Sequence, residues 1–188
     1  MPDEGLKQLW DAGLTESEYG LIGLIVSHWG AIEGEIFNQT LISFDLESDS
    51  TELPREMNNL SFSAVLKLWK ERVADFADNE AKAVLNKQHE KITSLQEYRN
   101  ALIHGMWQFD LKNPKEISTK RVRKKEIIST RFKDGDLYHF YTELAQINLY
   151  IRSPGGMQQI FEERAKEGFY VNEAELRRIK LKSNLTTK

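Results

Sequence analysis

Leu95-Gln96-Glu97-Tyr98-Arg99-Asn100-Ala101-Leu102-Ile103-His104-Gly105 closes a long helical rhythm that starts near Glu80. The apolar stripe of that segment reads Leu85, Ile92, Leu95, Leu102, the stepping of an amphipathic helix. Arg99 stands where the next member of the stripe belongs. An arginine on an apolar stripe needs a charged partner or a ligand to offset its burial. Such a conflict between pattern and chemistry tends to mark a functional position. Asn100 lies four residues before His104 and so shares its side of the helix. Arg99 and His104, five residues apart, are separated by about 140° on a regular helix, so one chain alone offers only an open, incomplete site. Two copies about a two-fold axis would bring two arginines and two histidines into one cleft, and an isologous homodimer is the expectation. Each residue also has a structural reading. His104-Gly105 suits a helix C-terminus, with glycine in the left-handed cap position and the histidine complementing the dipole. Arg99 can pair with Glu33 at the edge of the core, its stem snorkelling along apolar surface.

Outward from this segment the chain reads as helices on both sides of a β-like insertion. Thr15-Glu16-Ser17-Glu18 is a capping box with Thr15 as N-cap. The helix it opens carries Ile22, Ile25, Trp29, Ile32 and Ile36 on one face and runs towards Leu41. Gly20, Gly23, Gly30 and Gly34 each cost this helix about 1 kcal/mol relative to alanine, and imply a close-packed neighbouring helix. Residues 45–59 form a polar, acidic loop. A second helix from Ser61 or Ser63 places Phe62, Val65, Leu66, Trp69, Val73 and Phe76 on one face. After Ile103 the rhythm changes to period two: Trp107–Asp110, Ile117–Arg123 and Ile127–Phe132 read as short strands, with Asn113-Pro114 turning the first pair. Asp134-Gly135 breaks the chain, and Asp136 caps a fourth helix bearing Leu137, Phe140, Tyr141, Leu144, Ile147 and Ile151. Ser153-Pro154-Gly155-Gly156 ends it. The expected fold is mainly α, a four-helix bundle over residues 1–152 with a small basic β-ribbon insertion, about residues 107–133, before the last bundle helix. Residues 153–188 are expected to form a charged helical extension.

Composition narrows the function classes. The 188 residues, 40% hydrophobic and 29% charged, suit one globular domain with an appendage. There is no cysteine, so disulfides and thiolate metal sites are excluded, and a cytoplasmic setting is expected. The acidic start has no cationic, apolar leader, and no apolar run approaches the about 20 residues of a membrane span. The net charge of −3 conceals a polarity. Residues 1–60 hold twelve acidic groups against Lys7 and Arg55, whereas residues 111–133 hold nine basic groups against Glu116 and Glu126. The basic end suits a polyanion, the plain alternative being two solvated surfaces of opposite sign, and Lys120, Arg121, Arg123, Lys124 and Lys125 form a run able to track an RNA backbone. His28, His89 and His139 are scattered and read as structural, and no compact His/Asp/Glu cluster offers a metal site.

Arg99-Asn100-x-x-x-His104, after an apolar helix and before glycine and an aromatic residue, resembles the motif of HEPN domains: arginine, a polar residue and, after four to six intervening positions, histidine. The resemblance covers roughly residues 14–152, the bundle order included, and leaves out the β-insertion and the C-terminal extension. It implies a helical bundle acting as a metal-independent endoribonuclease, without cofactor, of the kind found in toxin–antitoxin and phage-defence systems. Catalysis falls to Arg99, Asn100 and His104, with RNA as substrate, a homodimeric arrangement, and an antitoxin or regulatory protein as a further partner. Members regulated by a nucleotidyltransferase carry a tyrosine two residues after the histidine. Here that position is Met106, so the resemblance does not extend to regulation at that tyrosine.

The residue chemistry agrees with this. An unperturbed imidazole titrates near pH ~6.5 and can take the proton of a ribose 2′-hydroxyl. The alkoxide attacks the adjacent phosphorus, leaving a 2′,3′-cyclic phosphate and a 5′-hydroxyl. Arginine's planar fork suits the phosphate oxygens, and Asn100 orients His104 or touches RNA. DNA, lacking the 2′-hydroxyl, binds without being cut. The alternative reading is a non-catalytic module of the same fold that binds nucleotide, RNA or a partner protein. A purely structural bundle in a larger assembly is the third.

Overall fold

The computed structural model describes residues 14–44, 53–110, 113–123, 126–133 and 135–166. Among them are five helices: α1 (Glu16–Ile42), α2 (Phe62–Trp69), α3 (Asn79–His104), α4 (Asp136–Arg152) and α5 (Gly156–Lys166). Three antiparallel strands, β1 (Met106–Asp110), β2 (Asn113–Arg123) and β3 (Glu126–Phe132), form a sheet in sequential order between α3 and α4. The expected mainly helical architecture with a small inserted β-structure is what is found. Residues 1–13, 45–52 and 167–188, which include part of the acidic loop and most of the expected extension, lie outside the described residues.

The capping box at α1 forms as the sequence requires: Thr15 N donates to Glu18 Oε2 at 2.6 Å, and Thr15 Oγ1 accepts from Glu18 N at 3.2 Å. Behind it Ile25, Trp29, Ile32 and Ile36 are buried. They join Val65, Leu66 and Trp69 of α2, Leu85, Ile92 and Leu102 of α3, and Leu144, Ile147 and Ile151 of α4 in one continuous core. The sheet enters that core through Ile117 and Phe132. The glycines of α1 do not do what their number implies. A Cβ added at Gly20, Gly23, Gly30 or Gly34 meets nothing within 4 Å, so no described part of the chain packs against that edge.

The stripe of α2 departs from its expected phase at one point. Val65, Leu66 and Trp69 are buried, but Phe76 is 84% exposed. From Lys70 to Ala74 the helix widens to a π turn, closed by Asp75 N donating to Lys70 O at 2.9 Å. A π turn advances the chain by an extra residue relative to an α turn. Ala74 therefore takes the buried position, five residues after Trp69, and Phe76 is carried outward. The turn is tied down beyond it: Lys70 Nζ at 2.9 Å and Asn86 Nδ2 at 3.2 Å hold the Asp75 carboxyl below its ordinary pKa.

Two further local expectations are corrected. Asp110 pairs with Asn113, so the first hairpin reverses before Asn113-Pro114, and both of those residues belong to β2. At α4, Gly135 rather than Asp136 occupies the N-cap, at φ 87°. Asp136 is the first helical residue and turns its carboxylate back to accept from Lys133 N at 2.8 Å. Glycine alone takes that left-handed backbone without strain.

Candidate functional site

The last two turns of α3 carry all three motif residues, and the helix ends at His104. Asp78 caps its start, accepting from Ala81 N at 2.9 Å. Its end is closed by the sheet. Gly105 N donates to Ala101 O at 2.9 Å, but Gly105 is extended (φ −82°, ψ 145°) rather than left-handed. A different constraint holds glycine there. A Cβ would stand 2.3 Å from Ala101 O and 2.5 Å from Thr119 Cβ, so the central strand crosses directly over the helix exit.

Arg99 points towards α1, its side chain 25% exposed. Its Nη2 lies 3.8 Å from Glu33 Oε1, and its guanidinium stands 5.9 Å from the Trp29 ring centroid. Glu33 is itself engaged, accepting from Trp29 Nε1 at 2.7 Å. The other arm of the guanidinium reaches its neighbour, with Nη1 donating to Asn100 Oδ1 at 3.2 Å. The Asn100 amide oxygen thus orients the arginine. His104 is exposed at the helix end. The structure joins Arg99, Asn100, Glu33 and Trp29 into one group and leaves His104 further round the helix, as the five-residue spacing requires.

The basic residues of the insertion do not act as one block. Lys120 is exposed, whereas Arg121, on the opposite face of β2, is 14% exposed and forms an ion pair with Glu97 of α3. The side chain of Arg123, and Lys124 and Lys125 altogether, lie outside the described residues. The scattered histidines have local partners. His28 accepts through its backbone oxygen from Asn148 Nδ2 at 2.9 Å and packs edge-on against Tyr141. His89 is half-buried, and burial, reinforced by the nearby Lys70 charge, pushes its pKa below the ordinary value.

One feature has no signature in the sequence pattern. A cleft of about 400 Å³ opens between α3 and α4, its apolar lining being Leu95, Tyr98, Phe132 and Phe140. His139 and the Lys91–Glu143 pair, 2.5 Å apart, also line it. Tyr98 and His104, six residues apart, lie about 120° apart around the helix, so the cleft opens on another side from His104. Among the described residues no three His, Asp or Glu side chains meet in a group able to hold a metal ion. Among them too, no helix is long and apolar enough to cross a membrane.

What fold and site define together is a mainly helical protein with a small antiparallel sheet closing the motif-bearing helix. Comparison with family models, with curated proteins and with solved structures found no match.

Proposed function

We propose that this chain is a HEPN-like, metal-independent endoribonuclease acting as a homodimer, the two Arg99–His104 segments facing one cleft. The observation that carries the reading is the loose hold on Arg99. One carboxylate at 3.8 Å and one amide oxygen at 3.2 Å engage a guanidinium that is 25% exposed. A guanidinium has five N–H donors in a planar fork. This one keeps donors for a phosphate while remaining pre-oriented by Glu33 and Asn100. In the reaction His104 accepts the 2′-hydroxyl proton as the O2′–P bond forms and the P–O5′ bond breaks. The products are a 2′,3′-cyclic phosphate and, after protonation, a 5′-hydroxyl. Arg99 stabilises the charge growing on the phosphoryl oxygens. Such a site serves a toxin–antitoxin or phage-defence role, with a regulatory protein to hold it in check, and works without a cofactor in the cytoplasm.

The second reading is a non-catalytic module binding nucleotide, RNA or a partner protein. Its supporting observation is the Glu33 contact, which gives Arg99 a partner inside the chain. Purified protein incubated with RNA in EDTA separates the two. The nuclease reading expects 2′,3′-cyclic ends that are lost in Arg99→Ala and His104→Ala, whereas the module reading expects binding without turnover. Sedimentation equilibrium tests the dimer, and a strict monomer would remove the composite cleft.

A further inference from the structure

The sheet has two chemically different faces, and only one looks towards the helices. Ile117, Thr119 and Arg121 of β2 turn inward with Ile128, Thr130 and Phe132 of β3. The alternate residues form the outward face. Met106, Lys120 and Ser129 lie side by side across the three strands, and Gln108, Ser118 and Arg131 form the next row. On the far side of the first row Val122 pairs with Ile127. Met106, Val122 and Ile127 are 69%, 75% and 73% exposed, and both Lys120 and Arg131 are exposed. Among the described side chains this face carries two cations and no carboxylate, while the segment around it, residues 111–133, carries nine basic groups against two acidic.

Its position relative to the motif is fixed by two contacts. Gly105 lies against Thr119, which puts β2 over the end of α3. Arg121, one residue beyond Lys120, pairs with Glu97. Glu97, Asn100 and His104 follow at three- and four-residue steps and therefore share one side of α3. The Arg121–Glu97 clasp holds β2 beside that side, and Lys120 pairs in register with Met106, two residues after His104.

We propose that single-stranded RNA runs from His104 across the outward sheet face, with successive phosphates on Lys120 and Arg131. This rests on the nuclease reading and assigns that site its substrate class and path. Lys120 and Arg131 are diagonal neighbours, a relation that places the two residues about 7–8 Å apart, within reach of adjacent phosphates of an extended strand. Met106 beside Lys120, and Val122 and Ile127 beyond it, can take the faces of unstacked bases, which a duplex keeps hidden. Arg121 has no place on this path. It is a positioning residue, and the basic run divides into a clasp and a track.

The test uses the full chain carrying His104→Ala, which prevents cleavage, and fluorescence anisotropy of a short fluorescein-labelled oligouridylate in EDTA. Lys120→Glu with Arg131→Glu is expected to weaken binding about tenfold or more and to flatten the dependence of log K on log salt, each lost phosphate contact reducing the slope by about 0.7. Lys67→Glu, on α2, is the control for charge alone and should leave affinity within about twofold. Unchanged affinity in the double variant, an equal loss in the control, or no binding by the parent overturns the proposal. Equally tight binding of poly-glutamate also overturns it, in favour of an acidic protein partner. Cleavage by the chain with His104 intact is scored separately. Binding that needs Lys120 and Arg131 without any cleavage would sink the nuclease reading alone, and cleavage with binding indifferent to them would sink the sheet path alone.

Discussion

Glu33 and Glu35, two positions apart on α1, each meet an arginine, and the two pairs are held very differently. Arg152, at the end of α4, makes four polar contacts although its side chain is 41% exposed. Its Nε lies 3.0 Å from Glu35 Oε2, Nη1 donates to Asn148 O and Oδ1 at 2.9 and 2.8 Å, and Nη2 donates to Ala31 O at 3.2 Å. Glu35 also accepts from Gln39, which bonds Trp69 Nε1 and Ile151 O, so this cluster ties α1 to both α2 and α4. Arg99 has a carboxylate at 3.8 Å and one amide oxygen. A guanidinium with four polar contacts serves packing, whereas one with donors to spare, on the helix that ends in an exposed histidine, can meet a phosphate. The two arginines separate a structural role from a binding role within one fold.

The contrast can be broken first at the frame around Arg99. Gly105→Ala forces a Cβ against Ala101 O and Thr119. It should destabilise by about 1–3 kcal/mol, as overpacking does, and should also reduce RNA cleavage by shifting the His104 end of α3. Thermal melts and cleavage rates on the same sample check both. Next, Arg152→Ala removes four contacts and leaves the Asn148 carbonyl groups and Glu35 without that partner. A loss of about 1–2 kcal/mol in urea unfolding, with RNA cleavage retained, is expected. A double-mutant cycle sharpens the comparison further. Coupling between Arg152 and Glu35 should reach about 1 kcal/mol, whereas that between Arg99 and Glu33 should stay below about 0.5 kcal/mol. Equal couplings would mean that Arg99 is as structural as Arg152.

The difference between the pairs was only half legible in the sequence. Arg99 was visible because it interrupts the stripe of Leu95 and Leu102, and Glu33 was identifiable as its partner because it flanks the stripe of Trp29 and Ile36. Arg152 gave no such signal. A basic residue in the last turn of a helix is what any helix favours, and its carboxylate lies 117 positions away at Glu35. The same limit applies elsewhere. The Thr15 capping box and the alternation of β2 and β3 are local patterns and read directly. The π turn at Lys70–Ala74, which displaced Phe76, has no local signature. The reason for Gly105 lies in Thr119, a residue brought over it only by the fold, and the cleft lined by Tyr98 and Phe140 needs α3 and α4 to be packed before it exists.

The smallest expected effect concerns pH and lies away from both arginines. The folded-state pKa of His89 is below its ordinary value, chiefly because of burial. As pH falls the unfolded chain therefore takes up this proton first. Its contribution to stability is present above the ordinary value of about 6.5 and is lost as pH falls from there through the folded value. His89→Gln should narrow the difference in melting temperature between about pH 7.5 and about pH 5.5 relative to wild type. An unchanged difference would mean that His89 does not contribute to it.

The central claim is that Arg99 and His104 do chemistry while Arg152 holds the fold. Single-turnover cleavage of a labelled RNA in EDTA, by wild type, Arg99→Ala, His104→Ala and Arg152→Ala below their melting temperatures, tests it directly. The account predicts 2′,3′-cyclic ends from wild type and Arg152→Ala, and a fall of about 10²-fold or more in rate for the other two. Cleavage at the wild-type rate by Arg99→Ala and His104→Ala, or no cleavage by wild type, would contradict it.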